Sequence, residues 1–277
     1  MRTTPNCKIN IGLQVMRRRE DGYHDLETIF VPVPLCDNLT INVSDIEKLS
    51  IDGIPIESDA EHNLVMRAYR LMQQEFGDRI PKCDISLTKN IPTGAGLGGG
   101  SSDAAFTIKM INDAAKLHLN NTEMELLAAR LGADCAFFIN NRTAYATGIG
   151  DRLTPLAFNP IKGYKLVMVK PDESVSTAEA YRGILPRDRR DDLPTCNLAK
   201  AIERPIKEWN GLIVNDFEET VFKSHPNLAK LKDALYSHGA LYAAMSGSGA
   251  TIYGIFDNNQ DTDINFNANC NVYTFNL

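Results

Sequence analysis

Between positions 92 and 103 the chain reads Pro92-Thr93-Gly94-Ala95-Gly96-Leu97-Gly98-Gly99-Gly100-Ser101-Ser102-Asp103. Five of the seven residues 94–100 are glycine. Glycine accepts positive φ and lets the backbone approach a ligand closely, so several N–H groups can converge on one concavity. A helix starting at Ser101 or Ser102 adds its free N–H groups and positive dipole end at the same spot. Such a cradle suits a polyphosphate, and the serine hydroxyls can cap the helix or help bind a phosphate or Mg²⁺. Other readings compete. Gly94, Gly96 and Gly99 satisfy the dinucleotide fingerprint G-x-G-x-x-G, but the loop does not open the first βαβ unit, Pro92 interrupts the strand-to-loop turn, and no strand with an acidic end follows at the required distance. A Walker A loop would end in Gly-Lys-Ser/Thr, which is absent. A flexible linker would lack the helix that begins with paired serines.

The loop needs a strand before it and a helix after it. Residues 83–88 alternate like a half-buried strand and lead through Ile91-Pro92 into the glycines, and the following helix is predicted to run to about residue 119. Upstream, residues 7–15, 26–33 and 39–43 read as strands. Residues 63–76 carry helical periodicity (Leu64, Ala68, Leu71, Met72) with Gly77 as a stop. Another helix is predicted from Asn121-Thr122, with Glu125 at capping-box spacing from Thr122, ending before Gly132. Beyond Asp151 the spacing predicts a strand at 164–169, a short helix at 177–184, a charged loop at 186–194 and a helix at 227–238 stopped by Gly239. Strands at 241–245 and 251–256 flank Ser246-Gly247-Ser248-Gly249, and residues 257–271, rich in Asn and Asp, read as a surface loop. This order implies an α+β protein of two domains, 1–155 and 156–277.

Composition narrows the class. Of 277 residues, 43% are hydrophobic and 23% charged, an ordinary globular balance with room for a sizeable core. The net charge of −6 has the wrong sign for a nucleic-acid partner, so an anionic ligand must be held by a local site. Six cysteines (Cys7, Cys36, Cys83, Cys135, Cys196, Cys270) form no C-x-x-C pair, which excludes the common zinc and redox spacings and gives no disulfide framework. The first ten residues hold Pro5, Asn6 and Lys8 and no apolar signal core, and no run approaches the ~18 apolar residues of a membrane span. The expectation is a cytoplasmic protein with reduced thiols, no membrane partner and no protein-held metal.

The loop resembles the second motif of the GHMP kinase superfamily, and two further segments extend the resemblance. Cys7-Lys8-Ile9-Asn10 resembles the first motif and Met245-Ser246-Gly247-Ser248-Gly249-Ala250 the third, in the right order and at wide spacing across nearly the whole chain. Within the superfamily, Asp21-Gly22-Tyr23-His24 is similar to the diphosphocytidyl-methylerythritol kinases. So are Gly100-Ser101-Ser102-Asp103-Ala104-Ala105, Gly132-Ala133-Asp134-Cys135 and Val214-Asn215-Asp216-Phe217-Glu218. Galactokinase, homoserine kinase and mevalonate kinase are not expected to carry Asp-Gly-Tyr-His there. The resemblance implies a GHMP-kinase-like fold, with a ribosomal-S5-like N-terminal domain, a ferredoxin-like C-terminal domain and an active site in the cleft between them. It implies ATP as phosphoryl donor, Mg²⁺ held mainly through the phosphates, and a small-molecule cytidine diphosphate as acceptor.

Residue roles follow from the same resemblance. Residues 92–102 would cradle the ATP phosphates, with Asn63 and Lys89 on the adenine side. Asp134 matches the catalytic aspartate that accepts or orients the hydroxyl proton, and Lys8 the lysine that bridges Asp134, the hydroxyl and the γ-phosphate. Asn10 shares a strand face with Lys8 by period two and is placed to hydrogen-bond substrate hydroxyls. Tyr23 would stack on the cytosine ring and His24 read its edge. Thr177 closes the substrate loop 171–177, and Tyr181 takes the place of a second stacking aromatic. Each has a plainer reading: Asp134 as a capping or loop carboxylate, Lys8 and Lys89 as solvated charges, Tyr181 as the buried face of a short helix. The run Arg17-Arg18-Arg19 reads as solvated rather than substrate-contacting. Two functional alternatives accompany the first reading. One is another GHMP kinase of homoserine or mevalonate type; the other is a nucleotide-binding module without catalysis, against which the presence of both Lys8 and Asp134 argues.

Overall fold

The computed structural model describes residues 1–277 apart from 57–60, 191–196, 263, 265 and 267–268. The chain opens with β1 (Arg2–Thr3), β2 (Asn6–Arg18), β3 (His24–Cys36), β4 (Asn38–Val43) and β5 (Lys48–Gly53). Helix α1 (Leu64–Phe76) and β6 (Cys83–Lys89) lead to the glycine loop, which α2 (Gly99–Ala114), α3 (Asn121–Ala129) and α4 (Phe137–Asn140) follow. Next come β7 (Ala144–Thr147), β8 (Arg152–Pro155), β9 (Lys165–Pro171), α5 (Thr177–Tyr181) and α6 (Leu198–Ala201). The chain closes with α7 (Phe217–Ser224), α8 (Pro226–Ser237), β10 (Tyr242–Met245), β11 (Ile252–Phe256) and β12 (Cys270–Asn276). These elements form two compact units, each assembled from separate stretches of chain. The first takes Met1–Lys8, Pro32–Thr93 and Gly98–Arg142; the second takes Ile9–Val31, Gly94–Leu97 and Thr143–Leu277.

In the first unit the sheet order is β1-β4-β6-β5, with β4 antiparallel and β5 parallel to β6. Strand β6 buries every second residue, Cys83, Ile85, Leu87 and Lys89, so its pleat alternation leaves the lysine pointing inward at the strand's end. Helix α1 packs on α2. Asn63 caps α1, its Oδ1 accepting the Val65 N–H at 2.9 Å, and Gly77 ends it at φ +56°. Three predicted helix limits shift. Helix α2 starts at Gly99 and stops at Ala114, because Lys116 and His118 adopt left-handed φ of 49° and 60°. Helix α3 is capped by Asn120, not Thr122. The Asn120 side chain accepts the Glu123 N–H at 3.1 Å, and Glu123 returns a bond to the Asn120 N–H at 2.8 Å.

The second unit holds an antiparallel sheet in the order β10-β11-β9-β12, with α8 packed on β10 and β11. Strands β10 and β11 are buried on both faces, which explains their continuous apolar runs. Val167, Val169, Leu228, Leu235, Met245, Ile252 and Phe256 share one core. This sheet and its helices form the ferredoxin-like layer pair. Strand β12 starts inside the stretch predicted as loop. Helix α7 lies where no helix was predicted, and the expected helix 177–184 is the shorter α5. The remaining sheet runs β2-β3-β7-β8, with β7 antiparallel to both β3 and β8. Cys7, Cys36, Cys83, Cys135 and Cys270 are free thiols, and burial pushes Cys7 up to about 12; Cys196 lies outside the described residues, as do 191–194 of the charged loop. No described helix is long and apolar enough to cross a membrane.

Candidate active site

In the first unit, strand β2 carries Lys8 to within 3.3 Å of the Asp134 carboxylate. The Lys8 side chain is only 4% exposed, whereas that of Asp134 is 34% exposed. The lysine is therefore no solvated face residue, and the carboxylate has one side open to a reactant. Asp134 does not cap a helix: it stands in the turn before α4, whose N-cap is Ala136 without a side-chain bond. Gly98, at φ +68°, begins α2 in the left-handed region. A Cβ there would come 3.2 Å from both the Lys8 Cε and the Phe138 ring, so the glycine leaves room for the lysine stem. Ser101 and Ser102 fall inside the first turn of α2 rather than ahead of it. Ser101 hydrogen-bonds the Cys135 thiol, which burial raises to about 11. The Ser102 Oγ is buried without a partner, an orphaned acceptor and donor at the helix N-terminus.

Lys89 differs most from the sequence reading. It was expected beside adenine, with a solvated charge as the alternative. The structure buries it at 3% exposure, pairs its Nζ with Asp37, and sets it 2.7 Å from Asp103 Oδ2. Burial works against the ammonium, but Asp103 and Asp37 outweigh it and hold Lys89 above its ordinary range. Burial also pushes the Asp103 carboxyl up to about 7. The Asp37 Oδ1 accepts the N–H groups of Asn90 (2.5 Å) and Ile91 (2.8 Å), where strand becomes loop. This triad fixes the root of the glycine loop, so the Lys89 side chain is committed to supporting it. The Asn63 side-chain oxygen is likewise engaged, in capping α1.

In the second unit the front of the glycine loop meets the third motif. Ser246 Oγ donates to the Gly96 carbonyl at 2.9 Å, and the Thr251 N–H donates to the Ala95 carbonyl at 3.3 Å. Asn215 Nδ2 bonds the carbonyls of Met245 and Gly247, each at 2.8 Å, and Glu218 accepts the Met245 N–H at 2.7 Å. Asp216 accepts the Val15 N–H at 2.8 Å and takes Arg187 in a bidentate pair at 2.7 and 2.8 Å. Asn215, Asp216 and Glu218 were read as part of a motif but not as site residues; their packing as supports was the missed information. Asn10 is 3% exposed. Its Nδ2 donates to Thr28 Oγ1 at 3.0 Å, and its backbone N–H donates to Ser246 Oγ at 3.2 Å. The side-chain amide thus anchors strand β2 rather than standing open.

Close approach explains one glycine in particular. Gly96 has φ +73°, and a Cβ there would collide with the Ser246 backbone carbonyl and lie 3.2 Å from the Gly249 nitrogen. Gly96→Ala is expected to destabilise the protein by about 2 kcal/mol or more, combining the left-handed penalty with a backbone clash. Gly22 has φ +87° but nothing within 4 Å of its would-be Cβ. Gly22→Ala should cost only about 1 kcal/mol. Urea denaturation of the two variants checks the difference; equal losses would show that the loop yields at Ser246.

The remaining expected residues cluster in the second unit. Tyr23 stands at the β2–β3 turn and is 62% exposed, an aromatic that no core claims. His24 stacks on Tyr181, with centroids 4.7 Å apart and planes at 20°, and Tyr181 meets Phe217 edge-on at 4.8 Å. Burial lowers the His24 pKa, assisted by Arg18, so its ring is neutral near pH 7. Tyr181 also packs against the core of its unit, so the two readings of this residue are not exclusive. The Thr177 hydroxyl lies 3.5 Å from Ser248 Oγ of the third motif. Arg17 pairs with Asp25 and Arg19 with Asp21 and Asp25, as solvated arginines do.

Known proteins carry the same order of parts. The family described as GHMP kinases N terminal domain matches residues 63–142, and that described as GHMP kinases C terminal matches residues 198–273. The 4-diphosphocytidyl-2-C-methyl-D-erythritol kinase of Bacteroides fragilis is 48% identical over 260 residues, covering 92% of this chain and 92% of that one. The enzyme of that name from Porphyromonas gingivalis is 46% identical over 254 residues, covering 91% and 90%. The crystal structure of a 4-(cytidine 5'-diphospho)-2C-methyl-D-erythritol kinase superposes with a TM-score of 0.75 at 34% identity, covering 92% of this chain and 90% of that one. With near half its residues shared along almost the full length of such relatives, the chain belongs to the 4-diphosphocytidyl-2-C-methyl-D-erythritol kinase family of GHMP kinases.

Proposed function

We propose that this protein transfers the γ-phosphate of ATP to a hydroxyl of 4-diphosphocytidyl-2-C-methyl-D-erythritol, giving the 2-phosphate and ADP. The step belongs to the non-mevalonate route to isoprenoid precursors, and the free thiols suit work in the cytoplasm. The observation that carries the chemistry is the Lys8–Asp134 pair, a buried ammonium against a half-open carboxylate. Asp134 takes or orients the proton of the attacking hydroxyl, and Lys8 bridges carboxylate, hydroxyl oxygen and γ-phosphate. The hydroxyl oxygen bonds to the γ-phosphorus as the bond to the β–γ bridging oxygen breaks, and ADP leaves. Residues 92–102 cradle the phosphates by backbone N–H groups, and the nucleotide-handling residues all fall within 1–155. Asn63 is a candidate for the adenine side through its free amide end or backbone, and Lys89 through its backbone. The segment 156–277 contributes Thr177 and Tyr181.

Among the described residues no three His, Cys, Asp or Glu side chains gather closely enough to hold a metal. A Mg²⁺ arriving on the phosphates, with Ser101 and the orphaned Ser102 hydroxyl at the mouth of α2, fits this donor set. Such an ion neutralises phosphate charge during transfer. An ADP-release assay offering 4-diphosphocytidyl-2-C-methyl-D-erythritol, homoserine and mevalonate separately tests the assignment. Release with the cytidine compound is the expected result; release with homoserine or mevalonate alone would overturn it.

Tyr23 supplies the specificity test. Base–aromatic stacking is worth about 1–3 kcal/mol, so Tyr23→Ala should raise the cytidine substrate KM roughly 5–150-fold and leave the ATP KM unchanged. Tyr23→Phe keeps the ring face and should stay within about threefold of wild type. At 62% exposure the tyrosine carries little of the fold, so melting temperatures should match. A normal KM for the alanine variant would remove Tyr23 from the substrate.

A further inference from the structure

Residues 171–177 join β9 to α5, and α5 has five residues. Ser176 caps it by accepting the Glu179 N–H at 3.1 Å. A single capped turn is too short to persist on its own hydrogen bonds, so its position depends on neighbours. The junction of α7 and α8 supplies them. His225 sets Nδ1 3.0 Å from Glu173 Oε2 and Nε2 3.0 Å from Glu179 Oε1, and Asn227 Nδ2 donates to Glu173 Oε1 at 2.8 Å. Ionised carboxylates only accept, and a neutral imidazole has one N–H; the imidazolium alone donates to both. Glu173 stands in the loop and Glu179 on α5, with Thr177 and Tyr181 two residues to either side of Glu179. From β9, Lys170 Nζ donates to the carbonyls of Pro171 (2.5 Å) and Glu173 (2.8 Å).

We propose that His225 is a positioning residue for substrate recognition: as an imidazolium bridging Glu173 and Glu179, it clasps the 171–177 loop and α5 to the α7–α8 junction, holding Thr177 and Tyr181 in place for the cytidine substrate. The proposal rests on the reading above, in which Thr177 and Tyr181 meet that substrate. The charged groups facing the ring are Glu179 from α5 and Glu173 from the loop, with Lys170 behind Glu173. The bond to Glu179, then that to Glu173, holds His225 above the ordinary histidine range. Asn227, and then His225, keep Glu173 below the usual carboxylate range. The sign follows from a raised histidine. The clasp is complete below about pH 6.5, the ordinary histidine value, and is lost as pH climbs through the raised value. Substrate affinity should fall over that window. His24 is displaced in the opposite direction and titrates below it. Asp103, near 7, stands under the glycine loop and registers in ATP parameters.

Steady-state kinetics from about pH 6 to about pH 9, with each substrate varied in turn, test the clasp on wild type, His225→Gln and Glu179→Gln, alongside NMR titration of the His225 ring. Wild-type KM for 4-diphosphocytidyl-2-C-methyl-D-erythritol should rise roughly 3–10-fold across the window, as expected for charge-assisted hydrogen bonds partly open to solvent. His225→Gln should hold the raised KM at every pH. Glu179→Gln leaves one carboxylate on the ring, so the KM inflection and the NMR titration should move down together. The His225 and Glu179 variants should not alter the pH dependence of the ATP KM. A substrate KM indifferent to His225→Gln but raised by Tyr181→Ala would overturn the clasp alone. Indifference to both would overturn the clasp together with the reading beneath it. A lowered melting temperature with an unmoved KM profile would make His225 purely structural, and the proposal would fail.

Discussion

Asp134→Asn is expected to lower kcat roughly 10²–10⁴-fold, the range for loss of a positioned general base, while ATP affinity stays close to wild type. The substitution is nearly isosteric, and the side chain is 34% exposed and caps no helix, so the fold has little to lose. What disappears is the carboxylate beside Lys8 that, in the proposed mechanism, receives or aligns the hydroxyl proton. Single-turnover rates by rapid quench, with a nucleotide titration on the same preparation, separate chemistry from binding. A variant keeping a third of wild-type kcat would take Asp134 out of proton handling. A large loss of ATP affinity would instead assign the residue to the nucleotide.

Lys8→Met should produce a loss of similar size, roughly 10²–10⁴ in kcat, because in the proposed mechanism it removes a preorganised positive charge from the transferring phosphoryl group. Methionine preserves much of the aliphatic stem that fills the space beside Gly98 and Phe138, so thermal unfolding should change little. The informative variant is the double one. Two groups 3.3 Å apart that are proposed to work on one oxygen should act as a unit, and their losses should not multiply. Lys8→Met with Asp134→Asn should therefore fall about as far as the worse single variant. A loss equal to the product of the two single losses would mean that they serve separate steps.

The glycine loop was legible because glycine readily takes the left-handed φ that Gly94, Gly96 and Gly98 adopt, 58°, 73° and 68°. The start of α2 was not, because its N-cap is a left-handed glycine with no side-chain bond, and the paired serines drew the boundary two or three residues too late. The α3 cap was misassigned because two capping boxes overlap, Asn120 with Glu123 and Thr122 with Glu125, and only packing selects the first. Strand β12 escaped notice because its first two residues, Cys270 and Asn271, lie in the Asn-rich stretch read as loop, and the rest sets only Val272, Tyr273 and Phe275 among Thr274 and Asn276. Long-range charge pairing left no local trace. Lys89 and Asp37 lie 52 residues apart, so a lysine at a strand end read as a ligand contact or a solvated charge rather than a buried support. Lys8 beside Asp134 was reached through motif resemblance, since neither residue announces the other across that length of chain.

The division of the chain into two interleaved units has a consequence for the order in which it is made. All stretches of the first unit lie before Thr143, so it can close while the ribosome is still at work. The second unit claims Ile9–Val31 and Gly94–Leu97 as well, and their fastenings come late: Asp216 for Val15, 201 residues on, and Ser246 for Gly96, 150 residues on. At about 5–20 residues per second, Val15 waits roughly 10–40 s for its partner. Over that interval Leu13 and Val15 lack the core they share with Val167, Leu228, Met245 and Ile252, although each is 4% exposed or less in the finished protein. Vectorial synthesis therefore lets one unit settle while the apolar half-strand of the other still waits for the segments that cover it.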